Sequence, residues 1–148
     1  MASIFSQIIA GQIPGTFVWA DEVCVAMATI CPSRPGHVMV IPRAEVAKFT
    51  DVHPDTFAHV MKVAQIIGHA QEQAFGVPRS ILAILGFEVP HTHIHVVPAD
   101  SEEAANFHDI PQASGAEIDA AMEKLRAALS DLGHSDHIPE LHRLPEMS

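Results

Sequence analysis

The sequence predicts an α+β domain: a roughly five-stranded antiparallel sheet with one long helix and a C-terminal helix packed on it. Three observations carry this expectation. About five short runs rich in β-branched and apolar residues lie between turn signals; only two long stretches keep a three- and four-residue apolar period; and the join at 86–90 is short enough to make its flanking strands antiparallel neighbours. At 148 residues with 48% hydrophobic content the chain suits one domain, placed at 1–133.

The elements follow in order. Residues 3–11 form a short helix, with Ser3 as its cap, Gly11 as its stop and Phe5, Ile8 and Ile9 as its apolar stripe. Residues 16–20 and 23–28 make a hairpin around Asp21-Glu22, and the Cys31-Pro32-Ser33-Arg34-Pro35-Gly36 loop leads to a third strand at 37–41, stopped by Pro42. The clearest helix runs from Asp51 to Gly76, with Pro54 in its first turn, His53 on or beside it, and His59 and His69 read as surface residues. Ser80 to Leu85 is a fourth strand of the continuous apolar kind expected when both faces are covered. After the fifth strand, 99–113 reads as a surface loop. Ser114 and Glu117 have capping-box spacing ahead of a helix at 115–132, and 134–148 is a polar tail expected to be mobile.

Composition removes several functions. The formal charge is −10 with no basic run, so a polyanion finds no counterion-releasing surface and nucleic acid is excluded as a partner. A small anion is still allowed, with local positive charge then supplied by histidine. Cys24 and Cys31 form no CxxC pair and read as reduced thiols. No basic leader or long apolar run is present, so the expectation is a cytoplasmic protein with no membrane partner.

The chemistry centres on His91-Thr92-His93-Ile94-His95-Val96-Val97-Pro98. On a strand the three imidazoles share one face, roughly 7 Å apart, while Thr92, Ile94 and Val96 face the other way. Eleven histidines in 148 residues give that spacing by chance about 0.06 times. Three readings stand: a metal site completed by His37, a nucleophilic site acting on phosphorus, or a polar strand face. The metal reading lacks a cysteine or an HExxH helix, and no cofactor is expected to be required.

This motif resembles the HxHxHxx signature of the histidine triad (HIT) family of nucleotide hydrolases and transferases. Ser3-Ile4-Phe5 with Ile8, Ile9 and Gly11 resembles the family's opening helix. Pro35-Gly36-His37-Val38-Met39-Val40-Ile41-Pro42-Arg43 resembles its PGHxLVIPK-like segment, and Gly86 to His91 its approach to the triad. The resemblance covers about 3–98 and implies a HIT-like fold. It implies that His93 is the nucleophile of a covalent nucleotidyl-histidine intermediate, that His91 and His95 flank the α-phosphate and that His37 supports them. Phe5, Ile8, Ile13 and Ile30 would wall the base. Thr29 stands where many members carry an acidic ribose contact, Ser80 where an asparagine often meets phosphate, and Phe87 where glutamine follows the glycine. Glu88 and Val89 lie at the phosphate-binding turn, and strand alternation turns Glu88 away. The cysteines that give some members a structural zinc are absent, with Ser6 and Ile9 in that region. The implied activity is nucleoside phosphoramidase-like, on phosphoramidate, phosphoanhydride or phosphoester bonds, and the implied assembly a homodimer. The alternatives are a dinucleoside polyphosphate hydrolase or a slow nucleotide- or metal-binding module.

Overall fold

Five strands make one sheet in the computed structural model, which describes residues 1–147: β1 (Phe17–Ala20), β2 (Cys24–Ala28), β3 (Val38–Pro42), β4 (Arg79–Ala83) and β5 (Ile94–Ala99). Their spatial order is β1-β2-β3-β5-β4 and every neighbouring pair is antiparallel. The helices are α1 (Ile4–Ile9), α2 (Pro54–Phe75) and α3 (Gly115–Asp131), with single 3-10 turns at Phe49–Asp51, Glu102–Ala105 and Ser135–His137.

Strand alternation splits the apolar residues between two faces. Ala26, Val38, Val40, Ile94 and Val96 pack against Val60, Val63, Ala64 and Ile67 of α2 and against Met122, Leu125 and Leu129 of α3. The opposite face carries Val25, Met27, Met39 and Ile41, closed by Phe5 of α1 and Phe17. Each Val, Ile, Leu, Met or Phe side chain among them contributes about 1.5–3 kcal/mol by leaving water. The buried Gln71 of α2 joins these layers: its Nε2 donates to Gly36 O at 3.0 Å and to Val96 O at 2.9 Å, and its Oε1 accepts from Ser80 Oγ at 2.7 Å. Helix α2 therefore holds both the loop before His37 and the strand that carries His95.

Several boundaries differ from the sequence reading for identifiable reasons. Helix α2 begins at Pro54, not Asp51, because His53 is its cap and its ring accepts from Asp55 N. Strand β4 stops at Ala83, short of Leu85, and its faces are not both covered: it lies at the sheet edge, with Leu82 and Leu85 exposed. The histidine strand begins only at Ile94, because after Pro90 the His91 amide closes on Val89 O at 2.8 Å and the Thr92 amide and hydroxyl both bond Val46 O at 2.8 Å. The 99–113 stretch is no plain surface loop, since it holds a 3-10 turn with Ala104 fully buried.

The segment expected to trail away after α3 instead lies along β1. Phe17 N donates to Leu141 O at 2.7 Å, Arg126 donates to Pro139 O, and His137 stacks on Trp19 with centroids 4.7 Å apart. It thereby covers a sheet edge whose amides would otherwise stay open. Ser148, the last residue of that expected tail, lies outside the described residues. Among the described residues no helix is long and apolar enough to cross a membrane.

Gly36, immediately before His37, has φ +94° and sits against the Phe75 ring, which a Cβ would strike. Gly36→Ala therefore combines backbone strain with overpacking. The expected cost is about 2–4 kcal/mol, read as a fall in Tm of roughly 5–15 °C. An unchanged melting curve would show that this turn relaxes freely.

Candidate functional site

His95 lies opposite Met39 in the β3–β5 ladder, so His37, two residues before Met39, shares its face. The two rings meet directly, His37 Nε2 lying 2.9 Å from His95 Nδ1. The Ser33 amide donates to His37 Nδ1 at 3.1 Å, which leaves the His37 proton on Nε2 to be donated to His95 Nδ1. The proton of neutral His95 then sits on Nε2. His93 is fixed the other way. Its Nδ1 lies 2.8 Å from the His91 carbonyl, and a carbonyl only accepts, so Nδ1 carries the proton and Nε2 presents a lone pair. The His93 and His95 ring centroids are 5.1 Å apart, closer than the 7 Å strand repeat because the side chains converge. Two adjacent rings thus offer one bare nitrogen and one N–H.

His91 departs from the role implied for it. It is fully buried, its Nε2 donates to Pro42 O at 2.7 Å and its Nδ1 meets Ser3 Oγ at 2.7 Å, so neither ring nitrogen is left to flank a phosphate. What it contributes to His93 is its main-chain carbonyl. Ser3 is itself held: its hydroxyl accepts from Ser6 N at 3.0 Å as the α1 cap, and its amide donates to Glu45 Oε1 at 2.7 Å, the same atom that accepts from Ser6 Oγ. The Ser3 amide and the Ser6 hydroxyl lower the Glu45 carboxyl to about 2. Ser3→Ala is expected to lower turnover about 10-fold with little change in KM for a nucleotide substrate, because it frees the His91 ring whose backbone sets His93. A rise in KM alone would place Ser3 in the binding surface.

Burial governs the protonation of the three site rings. It pushes His37 down to about 3, with the charge of His95 adding to the effect, and His95 down to about 4, with His93 adding. His93 is also lowered, by burial first and by facing His91, against the opposing pull of its bond to the His91 carbonyl. The locally cationic pocket expected from the histidine count is a neutral one near pH 7.

The other expected contacts divide. Phe5 meets His93 edge-on with centroids 4.8 Å apart, and Ile8 and Val89 pack in the same cluster. Ile13 is half-buried, while Ile30 and Glu88 are exposed. Thr29 is half-buried, and its hydroxyl accepts from Cys31 N. Thr29, Ser33, His37, Phe75 and Pro111 line a cavity of about 920 Å³. Ser80 is not brought to the site: its hydroxyl donates to Gln71, on the sheet face that carries α2. Sequence reasoning missed Ser3, Ser33 and Glu45. Only Ser3 left a signal, as a helix cap.

Metal-type donors converge elsewhere among the described residues, at Asp21, Cys24 and His59, whose ligand atoms lie within 4.8 Å of one another. His59 is thus no plain surface residue: its Nε2 is 2.7 Å from Asp21 Oδ2. The Asp21 carboxylate also accepts from Trp19 Nε1 and from the Val23 and Cys24 amides. Burial alone would raise it, but these bonds bring it down to about 2. Burial holds the Cys24 thiol well above its ordinary value. The group works as the stitch of the β1–β2 turn.

Comparison with known proteins shows the family of the chain. The HIT domain family model matches residues 10–102. An uncharacterized HIT-like protein of Methanocaldococcus jannaschii is 28% identical over 99 residues, 64% of this chain and 77% of that one. The adenosine 5'-monophosphoramidase of Schizosaccharomyces pombe is 29% identical over 107 residues, 70% and 78% of the two chains. The bifunctional bis(5'-adenosyl)-triphosphatase/adenylylsulfatase of Arabidopsis thaliana is 34% identical over 90 residues, 57% of this chain but only 50% of that longer one. Among solved structures, a zinc-bound histidine triad family protein from Mycobacterium smegmatis superposes with a TM-score of 0.77 at 27% identity, covering 91% of this chain and 98% of its own. The chain belongs to the HIT-domain family.

Proposed function

We propose that this protein is a nucleotide hydrolase or transferase acting at the α-phosphate, with His93 Nε2 as the attacking atom. The 2.8 Å bond from His93 Nδ1 to the His91 carbonyl carries the reading, because it leaves a lone pair on Nε2 of a ring that burial holds neutral. The nucleotide hydrolases among its relatives support the substrate class. As Nε2 bonds to phosphorus, the bond from phosphorus to the leaving nitrogen or oxygen breaks, and the leaving group takes the Nε2 proton of His95, which carries a proton on each ring nitrogen while the anionic phosphate is bound and is left neutral by the transfer. Water then attacks the nucleotidyl-histidine and returns a proton to His95 as the P–N bond breaks. In the free site His37 donates to His95 Nδ1 and so keeps the single His95 proton on Nε2. Negative charge on a bound phosphate favours protonated imidazoles, so positive charge would arise with the substrate and not before it. Phe5, Ile8, Ile13, Glu88, Val89, Thr29 and Ile30 are proposed to line the nucleotide, without Ser80, whose hydroxyl is bonded to Gln71 on the other face, and no metal enters the reaction.

A cytoplasmic homodimer completes the proposal, because Leu82 and Leu85 leave the β4 edge apolar and exposed. Leu82→Lys is expected to turn a dimer into a monomer in light scattering, whereas a monomeric unaltered chain would remove the dimer. The reaction itself is tested with adenosine phosphoramidate. The unaltered chain should release AMP, and a rapidly quenched His95→Ala variant should carry an adenylyl group on His93. AMP release without any adduct would point to direct water attack. A parallel assay with a dinucleoside triphosphate decides between phosphoramidate and polyphosphate substrates.

A further inference from the structure

Residues 103–113 lie beyond the family match, yet one of them, Phe107, packs against the His37 and His95 rings. The Phe107 ring sits 4.8 Å from that of His95 and 5.2 Å from that of His37. The strap that carries it is pinned on both sides to the loop linking β2 and β3. Ser33 Oγ donates to Ala104 O at 2.7 Å, and Ala113 N donates to Ile30 O at 2.9 Å. Ser33 therefore serves two purposes, its amide setting the His37 tautomer and its hydroxyl anchoring the turn ahead of Phe107. Ala104 and Phe107 also pack on Val97, Ala99 and Ile81, which share the His95 face of the sheet. Beyond Phe107, Ile110 and Pro111 wall the cavity of about 920 Å³ that reaches His37 and Ser33.

We infer that Phe107 is a positioning residue for the proposed reaction: it wedges the His37–His95 pair so that the His95 N–H faces the departing atom, and the strap walls the leaving-group side. The inference rests on His93 and His95 acting as proposed above. A fixed donor matters most when the leaving group must be protonated to depart, and hardly at all when it leaves as a stable anion. Misplacing such a group by about 1 Å costs on the order of 100-fold.

The test compares two substrates on the full chain: adenosine phosphoramidate, whose nitrogen must be protonated to leave as ammonia, and the p-nitrophenyl ester of AMP, whose phenolate leaves without a proton. Phe107→Ala should lower kcat on the phosphoramidate about 10- to 100-fold with KM changed less than about 3-fold, and should leave the ester within about 3-fold. Phe107→Leu should recover most of the loss by refilling the space. Ser33→Ala, which keeps the amide to His37, should show the same substrate bias at smaller size. Equal losses on both substrates, or an unchanged kcat in Phe107→Ala, would overturn the role of Phe107 alone. No turnover of either substrate by the unaltered chain would overturn the proposed reaction, and the role of Phe107 with it.

Discussion

His93→Ala is expected to abolish nucleotide turnover, by at least about 10⁴-fold in kcat, while the other site substitutions leave measurable activity. The size follows from what is removed. Without Nε2 there is no atom to bond phosphorus, and a water molecule would have to attack in its place without the orientation that the His91 carbonyl confers. His95 is asked for less: a missing proton donor costs about 10²- to 10⁴-fold, and less still when the leaving group needs no proton. Steady-state AMP release from adenosine phosphoramidate measures the difference, with a thermal melt as control because His93 is buried. Residual activity in His93→Ala within about 10-fold of the unaltered chain would move the nucleophile elsewhere.

Much of this arrangement was legible in the sequence because it depends on local pattern. The Ser114 cap of α3, the Gly76 stop in left-handed backbone and the apolar period of α2 all reflect contacts within a few residues, and all three are present, although the Glu117 carboxylate accepts from the Ser114 hydroxyl and not from its amide. The alternation that gathers His93 and His95 on one face held even though β5 starts only at Ile94, because extended backbone alternates with or without a partner strand. What the sequence did not reveal is decided across long separations. Ser3 reaches His91 over 88 residues, Ser33 reaches Ala104 over 71, and His37 reaches His95 over 58. No periodicity encodes such pairs. The tautomers depend entirely on them, which is why His91 reads as a third phosphate ligand in the motif and as a buried support in the fold. Ser80 fails for a related reason: the face of β4 that it occupies follows from the register with β5, in which Ser80 opposes Pro98 and Ala83 opposes His95.

Acid is expected to destabilise this fold well before its carboxylates protonate, and the buried histidines set the direction. An imidazole in the unfolded chain titrates near 6.5, whereas folded His37 and His95 are held down to about 3 and about 4, and His93 is lowered as well. Between those limits the unfolded chain binds more protons than the folded one, so stability falls as pH falls. Each such group contributes a slope of about 1.4 kcal/mol per pH unit, and two units below the ordinary value His37 alone costs about 3 kcal/mol. That alone is a large share of the whole stability of a typical domain, about 5–15 kcal/mol, and His95 acts in the same direction. Asp21 has the depressed-carboxylate sign: its stabilisation is present above its ordinary value of 3.8 and is lost as pH falls toward about 2, so it adds to the loss only at the acid end. Urea midpoints between pH 7 and pH 4.5 are the measurement. They should drop steadily, and His37→Gln, which removes one titrating ring, should flatten the slope by about one group's share. A midpoint independent of pH across that window would mean that these rings take up protons in place, with water admitted to the site.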